Sequence, residues 1–243
     1  DCKKSNNSRL MTNQDLFRSF FSVSNKEISI YVKNINSDEI VFFKKEKIDN
    51  NHSHFYNDRL QNFFVEKIDE IEEQIKLFVD NISLIIESEN IVSIRFSLKQ
   101  KIENKVISLR ELKSLLLIGQ EEILKYNQNL LLIHFLVDLI NIDGKIVETI
   151  ENQFVKKFML IDLRFICINQ NTVDGFKNLF KKKQIFLEKI FSAEYLKEFM
   201  TNNENIINSI DKIESGINKL EVSLVPKKSN KKGFFETFFD YFS

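Results

Sequence analysis

The chain has 243 residues, enough for one large or two small domains, and 43% of them are hydrophobic, an ordinary share for a globular core. Lys and Arg number 35, as do Asp and Glu, so no global field draws the chain to nucleic acid or acidic substrates. One proline and five glycines leave long elements with few tight glycine loops, and two cysteines, Cys2 and Cys167, exclude a disulfide framework.

Residues 1–16 are expected to be disordered, with a polar start that is no signal peptide and Met11 as a candidate true start. Phe20–Val32 reads as a strand on the alternation of Ile28, Ile30 and Val32, paired with Ile40–Ile48 across a turn at 34–39. His52 and His54 sit in a polar loop that carries no further ligand for a metal, so a solvated loop is the simpler reading. Leu60–Val79 repeats apolar residues at 60, 64, 68, 71, 75 and 78, an amphipathic helix whose acidic residues Glu66, Asp69, Glu70, Glu72 and Glu73 form its solvated face.

Asn81–Ile86 and Ile91–Ile102 read as strands. Ser108-Leu109-Arg110-Glu111 has the spacing of a capping box and opens a helix to about Lys125. Leu130–Ile142 is a strand that ends at the turn dipeptide Asp143-Gly144; His134, Asp138 and Asn141 break it as a membrane span. Phe158–Ile168 alternates as a further strand and holds Cys167, expected to be a buried thiol in a reducing compartment. Thr172–Lys182 is a short helix, Gln184–Phe191 a strand and Ala193–Met200 a last short helix. The whole is an α+β chain.

Ile206, Ile210, Ile213, Ile217, Leu220 and Leu224 alternate spacings of four and three, a heptad seam expected to serve self-association or docking. A basic linker follows with Lys227, Lys228, Lys231 and Lys232, and then Phe234, Phe235, Phe238, Phe239 and Phe242 fall on one helical stripe. Such a tip suits a membrane interface, with rings at the acyl boundary and lysines at anionic headgroups. A buried Phe contributes roughly 1.5–3 kcal/mol and a lysine near the leaflet about 1, while ordering costs on the order of 1–2 per residue. One tail is therefore marginal, and several copies in an assembly are needed. A helix docked on its own domain, or one bound to a partner's groove, is the competing reading.

No Gly-rich phosphate loop, no Cys/His pair at metal spacing and no Gly-x-Ser-x-Gly elbow is present, so no enzyme, cofactor or metal site is expected. His134, among apolar residues, reads as a structural histidine rather than a general base, for want of a carboxylate nearby in sequence. Asp162 and Arg164, two apart on one strand face, read as a surface ion pair.

Leu132-Ile133-His134-Phe135 followed by Ile142-Asp143-Gly144 is similar to the Ile-Leu-His-Val strand and Val-Asp-Gly turn of the FtsA family, the actin-like membrane tethers of bacterial division. Phe158–Ile168 resembles the apolar strand that follows that turn. Asn178-Leu179 with Ser192-Ala193-Glu194, and the helix start at Ser108–Leu116, are also colinear with it. The resemblance implies a partial actin-like (ribonuclease H-like) subdomain at 17–90, an FtsA-type inserted α+β subdomain at 91–201, a helical or flexible linker at 202–232 and an amphipathic membrane-targeting helix at 233–243. It departs from the family at the phosphate loop, where Ser22-Val23-Ser24-Asn25-Lys26 lacks the carboxylate and the glycine. The second half of the fold, with its adenosine pocket, has no counterpart between 200 and the tail. The resemblance thus implies a non-catalytic division adaptor, peripheral on the cytoplasmic face of the membrane, that binds division proteins or itself and no nucleotide. Its rivals are a PilM-like scaffold of a pilus or secretion machine, an actin-like ATPase with unusual residues, and a soluble protein whose Phe-rich tail binds a partner.

Overall fold

The computed structural model describes residues 16–48, 58–148, 153–201 and 204–222. In chain order its elements are β1 (Phe17–Ser24), β2 (Glu27–Asn34), β3 (Ile40–Lys47), α1 (Asp58–Ile75), β4 (Asn81–Glu87), β5 (Ile91–Lys101), β6 (Lys105–Val106) and α2 (Leu109–Tyr126). There follow β7 (Leu130–Ile142), β8 (Lys145–Val147), β9 (Phe154–Val155), β10 (Phe158–Asn169), α3 (Gln170–Lys181), β11 (Phe186–Ser192), α4 (Ala193–Lys197) and α5 (Ile206–Glu214). They form a mixed α+β chain of two compact units. One holds the described residues up to Ser88 together with Asp174–Phe191; the other holds Glu89–Val173 and the described residues from Ser192 on.

In the first unit the strands run in the order β11-β4-β1-β2-β3, with β1 parallel to β4 and antiparallel to β2, and β2 antiparallel to β3. Helix α1 forms because Leu60, Phe63, Phe64, Ile68 and Ile71 recur at helical spacing, and all are buried. Phe21 of β1 meets Phe64 at 5.2 Å and Phe180 of α3 at 6.0 Å between ring centroids, so phenylalanines from three elements join the core. The helix expected to reach Val79 stops at Ile75, where Lys76 adopts φ +58°, and Phe78 is exposed. The strand expected over Phe20–Val32 is two strands, because the chain reverses at Asn25-Lys26. The boundary also differs from the expected one. Residues 174–191 belong with the first unit, so Glu89–Val173 is inserted between β4 and the α3–β11 return, and the chain rejoins the second unit from Ser192.

The second unit is a four-stranded antiparallel sheet, β5-β10-β7-β8, beside the small pair β6-β9. One face of β10, Met159, Ile161, Leu163, Phe165 and Cys167, is buried with Leu112, Leu115, Leu116 and Ile123 of α2. The expected capping box starts α2: Ser108 Oγ accepts the Glu111 N–H at 3.3 Å, and Glu111 Oε2 accepts the Ser108 N–H at 3.0 Å. Gly119 lets α2 approach the sheet, since a Cβ there would lie 2.7 Å from Leu163 Cδ1 and 3.3 Å from Leu98 Cδ1. Asp143 (φ +51°) and Gly144 (φ +88°) make the two-residue turn between β7 and β8, as their sequence indicates.

Candidate functional site

Three places bear on function: the β1–β2 turn, a buried polar cluster around His134, and the C-terminal segment that leads into the Phe-rich tail.

At the first, Ser24 governs the β1–β2 turn. Its Oγ accepts the N–H of Lys26 at 3.2 Å and of Glu27 at 3.0 Å, and donates to the Glu27 carbonyl at 3.0 Å. A phosphate loop works by leaving successive backbone N–H groups free to converge on an anion. Here two of them already point at a serine oxygen belonging to the same turn. The arrangement closes a hairpin.

At the second, His134 of β7 is buried, and its Nδ1 lies 2.9 Å from Glu221 Oε1. The Ser192 N–H donates to His134 Nε2 at 3.3 Å. In the neutral imidazole that bond makes Nε2 the acceptor and Nδ1–H the donor to Glu221. The Tyr195 hydroxyl donates to Glu221 Oε2 at 2.8 Å and accepts from Asn218 Nδ2 at 3.0 Å. Burial, and then the Glu221 carboxylate, push the Tyr195 phenol well above its ordinary value. The carboxylate missing near His134 in sequence thus arrives from 87 positions away. Both ring nitrogens are engaged by the protein, so the cluster serves as a clamp between β7, the start of α4 and the chain near Glu221, in keeping with a structural histidine.

At the third, the heptad expected over 206–224 gives way, as far as Val222, to a short helix and a segment that bridges back to β7. α5 starts at the N-cap Asn205, whose Oδ1 accepts the Ile207 N–H at 3.1 Å, and it ends at Ser215-Gly216, with Gly216 at φ +79°. Ile210 and Ile213 are buried within the unit and Ile206 is half-buried, whereas Ile217 is exposed and Leu220 lies beyond the helix. The chain then pairs with β7: the Val137 N–H donates to the Leu220 carbonyl at 2.9 Å and the Val222 N–H to the Phe135 carbonyl at 2.7 Å. These apolar residues serve the unit's own core and sheet, so among the described residues the seam is not one continuous helix. Leu224, the lysines 227, 228, 231 and 232, and the phenylalanines 234, 235, 238, 239 and 242 lie outside the described residues, as do His52 and His54.

The remaining candidates are structural. Arg164 pairs with Asp138 on β7 at 2.9 Å and with Glu198 at 2.7 Å, while Asp162 accepts from Ser97 Oγ at 2.6 Å. The ion pair expected along β10 is thus replaced by partners on β5, on β7 and at the end of α4. Burial pushes the Cys167 thiol up to about 11, which leaves it a small apolar filler. Asp143 accepts the N–H groups of Lys156, Lys157 and Phe158 at 2.7–3.0 Å, tying the β7–β8 turn to the entry of β10, and these bonds hold its carboxyl below the ordinary range. Sequence reasoning saw Asp143 only as a turn residue. Among the described residues, no group of His, Cys, Asp and Glu could hold a metal, and no helix is long and apolar enough to cross a membrane.

No protein-family model matches the sequence, and no curated protein matches it. Among solved structures, a PilM–PilN type IV pilus biogenesis complex aligns at 8% identity over 74% of this chain and 48% of that one, with a TM-score of 0.46. A Bacteroides thetaiotaomicron protein described as having an actin-like ATPase fold and unknown function aligns at 13% identity over 76% and 55%, with a TM-score of 0.36. The cytoplasmic domain of EpsL, an inner-membrane component of the type II secretion system of Vibrio cholerae, aligns at 10% identity over 77% and 60%, with a TM-score of 0.36. The chain spans 48–60% of the length of these structures. None of the three is named as an FtsA protein, and with TM-scores below 0.5 they carry no argument about what this chain does.

Proposed function

We propose that the chain is a non-catalytic, actin-like scaffold that binds other proteins of a membrane-associated machine, of the pilus or secretion kind. The observation that carries this reading is the β1–β2 turn, where Ser24 takes up two N–H groups that a phosphate loop would need. Further support comes from the strand order β11-β4-β1-β2-β3 and from the α+β stretch Glu89–Val173 inserted between β4 and the α3–β11 return. A division adaptor, the reading that the Phe-rich tip favours, is the second version. In either version the chain works by holding partners together, and the basic, Phe-rich end supplies weak attachment that several copies strengthen.

The test is co-sedimentation of the protein with anionic vesicles, with and without Mg-ATP, for the intact chain and for one ending at Lys232. Expected is pelleting of the intact chain alone, weakened by salt and indifferent to nucleotide. Pelleting that requires Mg-ATP contradicts the non-catalytic reading. Failure of the intact chain to pellet removes the membrane from it.

A further inference from the structure

β5 is the outer strand of its sheet, and among the described residues no strand pairs with its free edge. It runs eleven residues, and its register with β10 holds from Ile91 to Lys101 without a bulge. Ile94, Phe96 and Leu98 point to the core and are only half-buried, because the sheet ends beside them. Ser93, Arg95, Ser97, Lys99 and Lys101 face the opposite way and are exposed. Arg95 lies 4.0 Å from Asp138 with its side chain 76% exposed. Lys101 is 82% exposed beside Glu103, and Lys99 Nζ stands 4.4 Å over the Phe158 ring.

A straight, regular edge invites another strand, and its side chains decide which one. A second copy in antiparallel pairing would gather Arg95, Lys99 and Lys101 of both copies on one face, and like charges close together on paired strands destabilise. We propose that the free edge of β5 takes up an extended segment of a partner protein in which acidic residues alternate with aliphatic ones. The acidic residues face Arg95, Lys99 and Lys101, and the aliphatic ones extend the row of Ile94, Phe96 and Leu98 over the core. The same cations turn away other edges, so they supply specificity as well as attraction. This inference rests on the scaffold reading, whose partner class it names.

The probe is a fluorescein-labelled peptide of Glu alternating with Val and Ile, matched to the eleven residues of β5, titrated by anisotropy into the intact protein. Expected is saturable binding that slows hydrogen exchange within 91–101, with no binding of the Lys-for-Glu peptide. N-methylation of one alternate set of peptide amides should abolish binding, and N-methylation of the other set should leave it. The double change Arg95→Glu with Lys99→Glu, both at exposed positions, should weaken the Glu peptide about tenfold or more and admit the Lys peptide. Overturning results are absence of binding, binding indifferent to N-methylation, or protection that appears outside 91–101. Vesicle pelleting and its indifference to nucleotide do not involve β5, so they separate failure of this inference from failure of the scaffold reading.

Discussion

Ser209 sits fully buried in α5, and among the described residues its hydroxyl has no hydrogen-bond partner. A buried, unmatched hydroxyl costs about 1–3 kcal/mol, and alanine is the better helix former. Ser209→Ala is therefore expected to raise stability by about 1 kcal/mol, read as a higher urea midpoint at unchanged slope. A lower midpoint would mean that the hydroxyl has a partner. His134 argues the other way. His134→Ala leaves the Glu221 carboxylate, 15% exposed, without the imidazole N–H, and the unmade hydrogen bond should cost about 1–3 kcal/mol, read as a lower urea midpoint. Glu111 brings pH into the account. Hydrogen bonding to Lys105, and then to the Ser108 N–H, holds its carboxyl at about 2, below the ordinary 4.5. The folded value is depressed, so the stabilisation is fully present above about pH 4.5 and is lost as pH falls toward 2. Melting temperatures across that window should fall less steeply in Glu111→Gln than in the parent; equal slopes would show that the capping carboxylate does not titrate as described.

Between α2 and its sheet, everything turns on Gly119. An alanine there gains about 1 kcal/mol of helix propensity and needs only a shift of the Leu163 side-chain end, so a small net change is expected. Valine adds branches with nowhere to go and should cost about 2–3 kcal/mol by chemical denaturation. The long, regularly patterned elements were legible in the sequence: α2 from its capping box and the β7–β8 turn from Asp143-Gly144. The β1–β2 reversal was not, because Asn25-Lys26 carries no glycine and the turn is made by the side chain of Ser24. The heptad was misread for a related reason. Apolar residues at spacings of three and four also serve a nine-residue helix followed by a segment that bridges back to β7, and only Gly216 marked the break. The partnership of His134, Tyr195 and Glu221 left no local signal, since it spans 87 positions.

For the molecule as a whole, chain order conceals which residues fold together. Residues 174–191 follow the inserted stretch in sequence yet close the first unit, through Phe176 and Phe180 against Phe21. Phe180→Ala should therefore cost roughly 3 kcal/mol and speed hydrogen exchange in β1, β2 and β4 while sparing β5, β7 and β10. Equal acceleration in both sets would show one cooperative unit instead of two. In the first unit, Ser24 closes the β1–β2 turn on itself by taking up two backbone N–H groups, which leaves that turn no anion cradle. The most direct measurement follows the backbone amide signals of Asn25, Lys26 and Glu27 by NMR as Mg-ATP is titrated into the protein. The account expects these three signals to stay in place while ATP reaches large excess. Saturable shifts at Lys26 and Glu27 would mean that Ser24 yields its N–H partners to a phosphate, and the non-catalytic scaffold would have to be given up.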